Sequence, residues 1–234
     1  MARKRGTSGD DTSRGSSGDD VIFGLGGDDR ITGNSGNDDI FGGSGNDRIN
    51  GNNGNDELHG DGGRDRINGN NGDDELSGGN GDDNLMGGNG LDELIGGAGN
   101  DVLSGGARDD ELTGGTGVDV LSGGAGADEF NFGPGDTGVG AGLRDVITDF
   151  ETFVDDIDLR PIDAIASTAG VDDAFVFLTA ANSAFTNTAG ELRFVIDVGA
   201  NQTIIEGDTD GNGVADFQIQ LSGQITLSHE DFNL

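Results

Sequence analysis

The residues of this sequence that could do chemistry are aspartates that recur at a constant interval. From Gly15 to Asn131 the chain divides into thirteen successive nonapeptides without insertion or deletion, and position six of every unit is aspartate. A carboxylate oxygen is the hard ligand that Ca²⁺ prefers in proteins. The predicted calcium ligands are therefore Asp20, Asp29, Asp38, Asp47, Asp56, Asp65, Asp74, Asp83, Asp92, Asp101, Asp110, Asp119 and Asp128.

Glycine accompanies these aspartates at two fixed positions. Position one is glycine in every unit, and position four is glycine in every unit except the one that carries Arg108. Glycine, or asparagine as at Asn34, Asn52 and Asn70, allows the positive φ of a tight turn and lets backbone carbonyls approach an ion. The position-four glycines assigned to the same sites are Gly18, Gly27, Gly36, Gly45, Gly54, Gly63, Gly72, Gly81, Gly90, Gly99, Gly117 and Gly126.

A second candidate site lies near the end of the chain. Oxygen donors alternate there around a glycine, at Asp208, Asp210, Asn212 and Asp216. The spacing matches the beginning of an EF-hand loop, but its twelfth position is Ile219 rather than glutamate, and its flanks read as strands. Calcium binding and a polar β-turn both remain open for this segment.

The elements that position the aspartates are short strands. Position eight is always Ile, Leu or Phe, so the last three residues of each unit predict a strand with one inward side chain. One apolar side chain per unit suffices only if the units stack. The heptapeptide that begins at Arg48 recurs eighteen residues later at Arg66, which indicates two units per turn. The predicted fold is all-β, a right-handed parallel β-roll capped by a small C-terminal β domain.

The outward position seven then sorts into two rows, one for each sheet. Odd units give Asp39, Glu57, Glu75, Glu93, Glu111 and Glu129, and even units give Arg30, Arg48, Arg66, Asn84, Val102 and Val120. The three arginines could bind an anionic ligand such as a uronate polysaccharide. The simpler interpretation is a solvated face that offsets the acidity of the chain.

The chain divides by composition into four segments. Residues 1–14 keep the repeat register without the apolar position and predict a frayed cap, 15–132 the roll, and 133–142 a linker rich in turn formers. Residues 143–234 hold eight of the twelve phenylalanines and predict a β domain. Its expected strands lie in Ala174–Leu178, Leu192–Ile196 and Asp216–Leu221.

The composition of the chain limits the kinds of molecule that it could bind. The formal charge is −33, hydrophobic residues make up 31% and there is no cysteine, so without a ligand this composition is typical of disorder. Nucleic acids and anionic membranes are disfavoured as partners because they carry the same charge sign. The basic start of the chain lacks the apolar stretch of a cleavable signal peptide, and no apolar run reaches membrane-spanning length.

Both halves of the chain resemble the C-terminal portion of serralysin-type metalloproteases and related repeats-in-toxin (RTX) proteins. Beyond the repeats, the resemblance rests on Asp145–Phe150, Asp156–Leu159, Ala189–Arg193, Gly207–Gly211 and the acidic-then-hydrophobic end Asp231–Leu234. It implies several calcium ions held between successive coils, export from a Gram-negative bacterium by the type I secretion machinery, and folding outside the cell.

The protease half of that family has no counterpart here. The zinc-binding H-E-x-x-H motif is absent, and the histidines are His59, expected at the surface, and His229. No G-x-S-x-G or P-loop motif is present either. We therefore expect no enzyme activity. The sequence leaves two functions: a calcium-binding secreted protein that folds on Ca²⁺, or an accessory module of an extracellular enzyme or adhesin.

Overall fold

A computed structural model describes residues 3–162 and 174–234 of the chain. Met1 and Ala2 of the predicted cap, and residues 163–173 of the predicted C-terminal domain, lie outside the described residues. In chain order the strands are β1 (Arg3–Arg5), β2 (Thr12–Arg14), β3 (Val21–Gly26), β4 (Arg30–Ser35), β5 (Asp39–Ser44), β6 (Arg48–Asn53), β7 (Glu57–Gly62), β8 (Arg66–Asn71), β9 (Glu75–Asn80), β10 (Asn84–Asn89), β11 (Glu93–Ala98), β12 (Val102–Ala107), β13 (Glu111–Thr116), β14 (Val120–Ala125), β15 (Glu129–Asn131), β16 (Val146–Ile147), β17 (Asp156–Asp158), β18 (Val176–Phe177), β19 (Glu191–Asp197), β20 (Gln202–Asp208), β21 (Phe217–Ser222) and β22 (Phe232–Asn233).

Successive strands of the repeat region alternate between two parallel sheets. Odd-numbered strands up to β17 form sheet A, and even-numbered strands up to β16 form the repeat region of sheet B. Hydrogen-bonded neighbours lie eighteen residues apart, as in Ile22 opposite Ile40 and Ile31 opposite Ile49. The prediction of a parallel β-roll with two units per coil is confirmed.

The strands are longer than predicted. The sequence indicated three residues per strand, whereas β3 to β14 each span six, running from position seven through position three of the next unit. The reason is that all coils have the same length. Their turn residues therefore also align, and the amide of Gly45, for example, donates to the carbonyl of Gly62 in the next coil at 2.8 Å.

The core of the roll is a double column of position-eight side chains. Every one of them from Ile22 to Phe130 is at most 2% exposed. Each buried Leu or Ile contributes about 1.5–3 kcal/mol relative to an exposed side chain. These side chains belong to one buried cluster, and each is paired in register with its equivalent one coil away, so the core exists only while the coils stay stacked.

The N-terminal end of the roll is basic. Lys4 of β1 lies opposite Ile22 and Ser13 of β2 lies opposite Ile31, so polar residues take the inward positions of the first coil. The Lys4 Nζ donates to the Arg14 carbonyl. Inward charges and basic edge strands disfavour the addition of a foreign strand.

The C-terminal strands extend both sheets. In sheet A, β17 follows β15 and pairs with β22; in sheet B, β16 follows β14 and pairs with β21. The strands β19, β20 and β21 form an antiparallel meander. The three predicted C-terminal strands are confirmed as β18, β19 and β21, whereas β20 was missed. Among the described residues, no helix has the length and apolarity to cross a membrane.

Candidate metal sites

The aspartates of position six form a buried column along each edge of the roll, which we call the aspartate column. All thirteen are at most 3% exposed. From Asp29 to Asp128, the Oδ1 of each accepts a hydrogen bond of 2.7–2.9 Å from the amide of the position-six aspartate one coil earlier. These bonds fix the orientation of each carboxylate.

The second carboxylate oxygen is different. Within the described residues, eleven buried Oδ2 atoms have no hydrogen-bond partner. They belong to Asp29, Asp38, Asp47, Asp56, Asp65, Asp74, Asp83, Asp92, Asp101, Asp110 and Asp119. A buried oxygen without a partner is rare in native proteins, and a buried negative charge without one costs several kcal/mol.

Each of these oxygens faces a small cradle that only glycine leaves open. A methyl group added at Gly24 would lie 2.3 Å from Asp29 Oδ2 and 2.3 Å from the carbonyl oxygen of Gly42 in the next coil. A carboxylate oxygen and a backbone carbonyl therefore converge on the space beside position one. An oxygen-lined cradle of this kind fits a hard cation such as Ca²⁺.

The position-four glycines lie in the turns that bring successive coils together. Those predicted as ligands have positive φ, from 94° to 154°, except Gly18. A methyl group added at Gly81 would lie 1.7 Å from the Gly63 carbonyl oxygen, so the turns approach closely. Arg108, which replaces glycine at this position, keeps a φ of 84°.

Burial changes the acidity of the column. It raises the pKa of Asp56, Asp65, Asp110 and Asp119 to about 7, and neighbouring carboxylates add to the effect. It also raises the pKa of Asp74, Asp83, Asp92 and Asp128 to about 6. The metal-free column therefore holds its negative charge only with difficulty.

The column ends differently at its two termini. In the first full unit the Oδ2 of Asp20 accepts hydrogen bonds from the amide and hydroxyl of Ser16, at 2.5 and 2.9 Å. At the other end, Asp145 and Asp155 accept the amides of Asp119 and Asp128. Sequence reasoning missed both residues. The sequence does keep one feature of the repeat at both positions, an aspartate with an apolar residue two positions later, but the glycine pair of the repeat is missing there.

The repeats match a known family. Residues 5–40, 32–67, 41–76, 77–107 and 104–138 match the RTX calcium-binding nonapeptide repeat, which together covers more than half of the chain. The chain belongs to the RTX repeat family. RTX nonapeptide repeats bind calcium, and the cradles along the aspartate column are where this chain presents the oxygens for it.

Solved structures add two similarities. The RTX chain is 27% identical to the AlgE6R3 subunit of the Azotobacter vinelandii mannuronan C5-epimerase, over 69% of this chain and 77% of that one, with a TM-score of 0.34. It is 22% identical to the AlgE6R2 subunit of the same enzyme, over 79% of this chain and 90% of that one, with a TM-score of 0.31. Comparison with curated proteins gave no significant match.

The second predicted site of the RTX chain is the loop between β20 and β21. Carboxylate oxygens of Asp208, Asp210 and Asp216 lie within 4.8 Å of one another, and Asp208 is buried. The Asp208 oxygens already accept the amides of Gly211 and Gly213, and Asn212 Oδ1 accepts the amide of Val214. The flanking elements are strands, as expected. Calcium binding at this loop stays a prediction.

The outer faces of the RTX roll carry the two rows that the sequence predicted. Arg30, Arg48 and Arg66 lie opposite one another on sheet B, exposed, and form what we call the arginine ladder. On sheet A, Glu57, Glu75, Glu93, Glu111 and Glu129 form the glutamate ladder, which lines a groove of about 630 Å³. Burial, and then the charges of its two neighbours in the ladder, raise the pKa of Glu93.

His59 lies on sheet A at a partly exposed position. Its ring stacks on Phe41 with centroids 4.8 Å apart, and Phe41 stacks on Phe23 at 5.1 Å. Its Nε2 lies 2.9 Å from Glu57 Oε1. The surface location expected for His59 is confirmed, with the addition of this aromatic stack.

Proposed function

We propose that this RTX chain is a secreted module that folds when calcium fills the cradles along the aspartate column. The observation that carries the proposal is the row of eleven buried, unpartnered Oδ2 atoms within the described residues. A folded domain is typically stable by only about 5–15 kcal/mol. Eleven uncompensated buried charges exceed that margin, so at a pH where these carboxyls are ionised the fold requires a cation at the column.

Calcium supplies positive charge and accepts several oxygen ligands at once. The residues that hold it are the position-six aspartates through Oδ2, together with turn carbonyls such as that of Gly42. On the order of ten divalent ions along the roll would offset about 20 of the 33 negative charges. Binding free energy then becomes folding free energy.

This coupling supports an export role. In a cytosol with little calcium, the repelling carboxylates keep the chain extended enough for the type I secretion machinery, and extracellular calcium drives folding after export. The resemblance of the C-terminal half to serralysin-type proteins supports the same route. The folded protein then acts outside the cell, as a calcium-binding module without a catalytic role.

Circular dichroism with and without a calcium chelator tests the coupling. We expect a β-sheet spectrum in calcium and an unfolded spectrum after chelation. An unchanged β-sheet spectrum in the metal-free protein would refute the proposal.

Two neighbouring single-residue variants test whether the calcium dependence of folding comes from the aspartate column. D74N leaves the Oδ1 acceptor in place but removes a charge from the cradle, so the calcium concentration at the folding midpoint should rise several-fold. D73N, one residue earlier, should have little effect. Asp73 is exposed and its Oδ1 accepts the amide of Leu91, a role that Asn55 already fills with an amide oxygen in the preceding coil.

The arginine ladder supports a second candidate function, an accessory module of an extracellular enzyme or adhesin that binds an anionic polysaccharide. Three guanidinium groups one coil apart could bind successive carboxylates of a uronate chain. Isothermal titration with oligomannuronate tests this. The variant R30Q/R48Q/R66Q should lose binding, whereas R64Q, on a turn, should retain it. Binding that is equal in both variants would exclude this candidate.

A further inference from the structure

The arginine ladder has no counter-ion among the residues that the structure describes. Among the ion pairs of the described residues, none includes Arg30, Arg48 or Arg66. Like charges directly opposite on neighbouring strands destabilise a sheet. Each arginine lies one strand spacing, about 4.8 Å, from the next. The matching surface is therefore a row of anions with the same spacing.

The glutamate ladder is such a row. It has the same spacing because both ladders are built from the same coils, and Glu75, Glu93 and Glu111 lie opposite one another in consecutive coils. A second copy of the chain therefore presents anions with the period of the arginine ladder.

The two outer faces also change character in opposite order along the roll. After the basic edge strand β1, sheet A presents the apolar and aromatic residues Val21 and Phe23, then Asp39 and the glutamates. Within the repeat units, sheet B presents the arginines first and Val102 and Val120 last, and these valines are 43% and 37% exposed. Parallel axes that bring Arg30, Arg48 and Arg66 to acidic residues would place Val120 over Glu129, whereas antiparallel axes place it over Val21. The apolar residues therefore favour antiparallel axes.

The course of the chain favours the same arrangement. Each coil has one strand in each sheet, joined by tight turns, so the strands of the two sheets run in opposite directions. A half-turn about the sheet normal therefore places position seven of sheet B over position seven of sheet A in the next copy. A simple translation would place the arginines over position nine, at Phe41, His59 and Ser77.

We propose that calcium-loaded chains stack face to face with antiparallel axes, the arginine ladder of one copy against the glutamate ladder of the next. The stack pairs Arg66 with Glu75, Arg48 with Glu93, and Arg30 with Glu111 of the next copy. At the other end, Val120 lies over Val21. The inference rests on the proposed function, because only the calcium-loaded roll is folded and relieved of most of its negative charge.

The contact joins two different faces of the roll, so two copies do not form a closed dimer. Each copy still offers a free sheet A or sheet B, and heterologous contacts of this kind form open stacks. The weight-average mass should rise steadily with protein concentration at low salt. It should return to that of a monomer in about 0.5 M NaCl, because exposed ion pairs are screened.

Sedimentation equilibrium in saturating calcium tests the stack. R30Q/R48Q/R66Q should remain monomeric. The control S222E/Q224E/T226E shifts the net charge by the same amount at exposed positions away from both ladders, and it should stack like the wild type. A monomeric wild type at low salt, or stacking that persists in the arginine variant, would overturn the proposal.

Charge reversal supplies the sharper test. R30E/R48E/R66E and E75R/E93R/E111R should each be monomeric, and their equimolar mixture should stack again because every contact regains opposite charges. Absence of rescue with both variants folded would overturn the proposal. Calcium-dependent circular dichroism of the same samples separates this outcome from failure of folding. A monomeric wild type that binds oligomannuronate through the arginines would instead assign the ladder to a polysaccharide.

Discussion

At the scale of the residue, each column aspartate has two different oxygens. For Asp74, Oδ1 accepts the amide of Asp56 at 2.8 Å, whereas Oδ2 has no partner. Asparagine would retain the first role and lose the negative charge. Glutamate would place its oxygens one methylene farther from the backbone. The repeat therefore requires aspartate at position six for both structure and metal binding.

The raised pKa values of the column predict an unusual pH dependence of the metal-free protein. An acid whose pKa is higher in the folded state stabilises the fold fully below its unfolded pKa, near 4, and this contribution is lost as the pH rises through the folded pKa. For Asp56, Asp65, Asp110 and Asp119 that value is about 7. The chain stripped of calcium should therefore gain β structure between pH 7.5 and about 4.5.

Circular dichroism of protein treated with a chelating resin measures this gain. In saturating calcium the pH dependence should have the opposite sign. Protons compete with the metal for the carboxylates, so the melting temperature should fall on acidification. Greater order of the metal-free chain at pH 8 than at pH 4.5 would contradict the prediction.

The sequence was most informative at this scale where the repeat is strict. Position six could be identified because, apart from the glycine of position one, it is the one position that never changes across the thirteen units. Asp145 and Asp155 serve the same backbone role but were missed, because the glycines that mark the unit are absent before them. Their function depends on which strand β16 and β17 pair with, and that pairing joins residues 26 and 27 positions apart.

At the scale of the element, the turns carry a second ladder that sequence reasoning missed. At position five, the side-chain oxygen of Asp19 accepts the amide of Asn37, and that of Asn37 accepts the amide of Asn55. The ladder stops where the side chain lacks an acceptor, as at Arg64, whose guanidinium instead pairs with Asp82 at 2.6 Å. Because this position also tolerates Leu and Ala, its preference for Asp and Asn did not stand out in the sequence.

The same close-packed turns predict the effect of a methyl group. G81A should destabilise the calcium-loaded fold by about 3 kcal/mol or more, because the residue needs a positive φ and its Cβ would collide with a backbone carbonyl. The position-four control is G18A, where the added carbon meets nothing within 4 Å. Thermal melts in saturating calcium should separate the two variants by many degrees. Equal melting temperatures would contradict the packing of the turns.

At the scale of the whole molecule, the structure is a one-dimensional stack whose coils contact mainly their neighbours. The stacked fold could be predicted because the position-eight residues are buried only if the units stack. The two units per coil could be predicted from the heptapeptide that recurs eighteen residues apart at Arg48 and Arg66. The C-terminal half was less predictable. The strand β20 was not predicted from its own sequence, and it is recognised as a strand only through its antiparallel pairing with β19 and β21.

The stack predicts a large change in dimensions. With calcium the radius of gyration should be about 20 Å, and in a chelator it should approach the value of about 50 Å expected for an unfolded chain of this length. Small-angle scattering at high salt, where self-association is screened, measures both states. A compact chain in the chelator would indicate that the column does not control folding.

The uniform coil length has a consequence for how such a gene can change. An in-frame loss or duplication of eighteen residues, such as the segment between the two copies of Arg-Ile-Asn-Gly-Asn-Asn-Gly at Arg48 and Arg66, leaves every later strand in its own sheet. A change of nine residues transfers every later unit to the opposite side and mixes acidic with basic rows. Unequal recombination can therefore lengthen or shorten this protein in whole coils, and selection would remove the half-coil products.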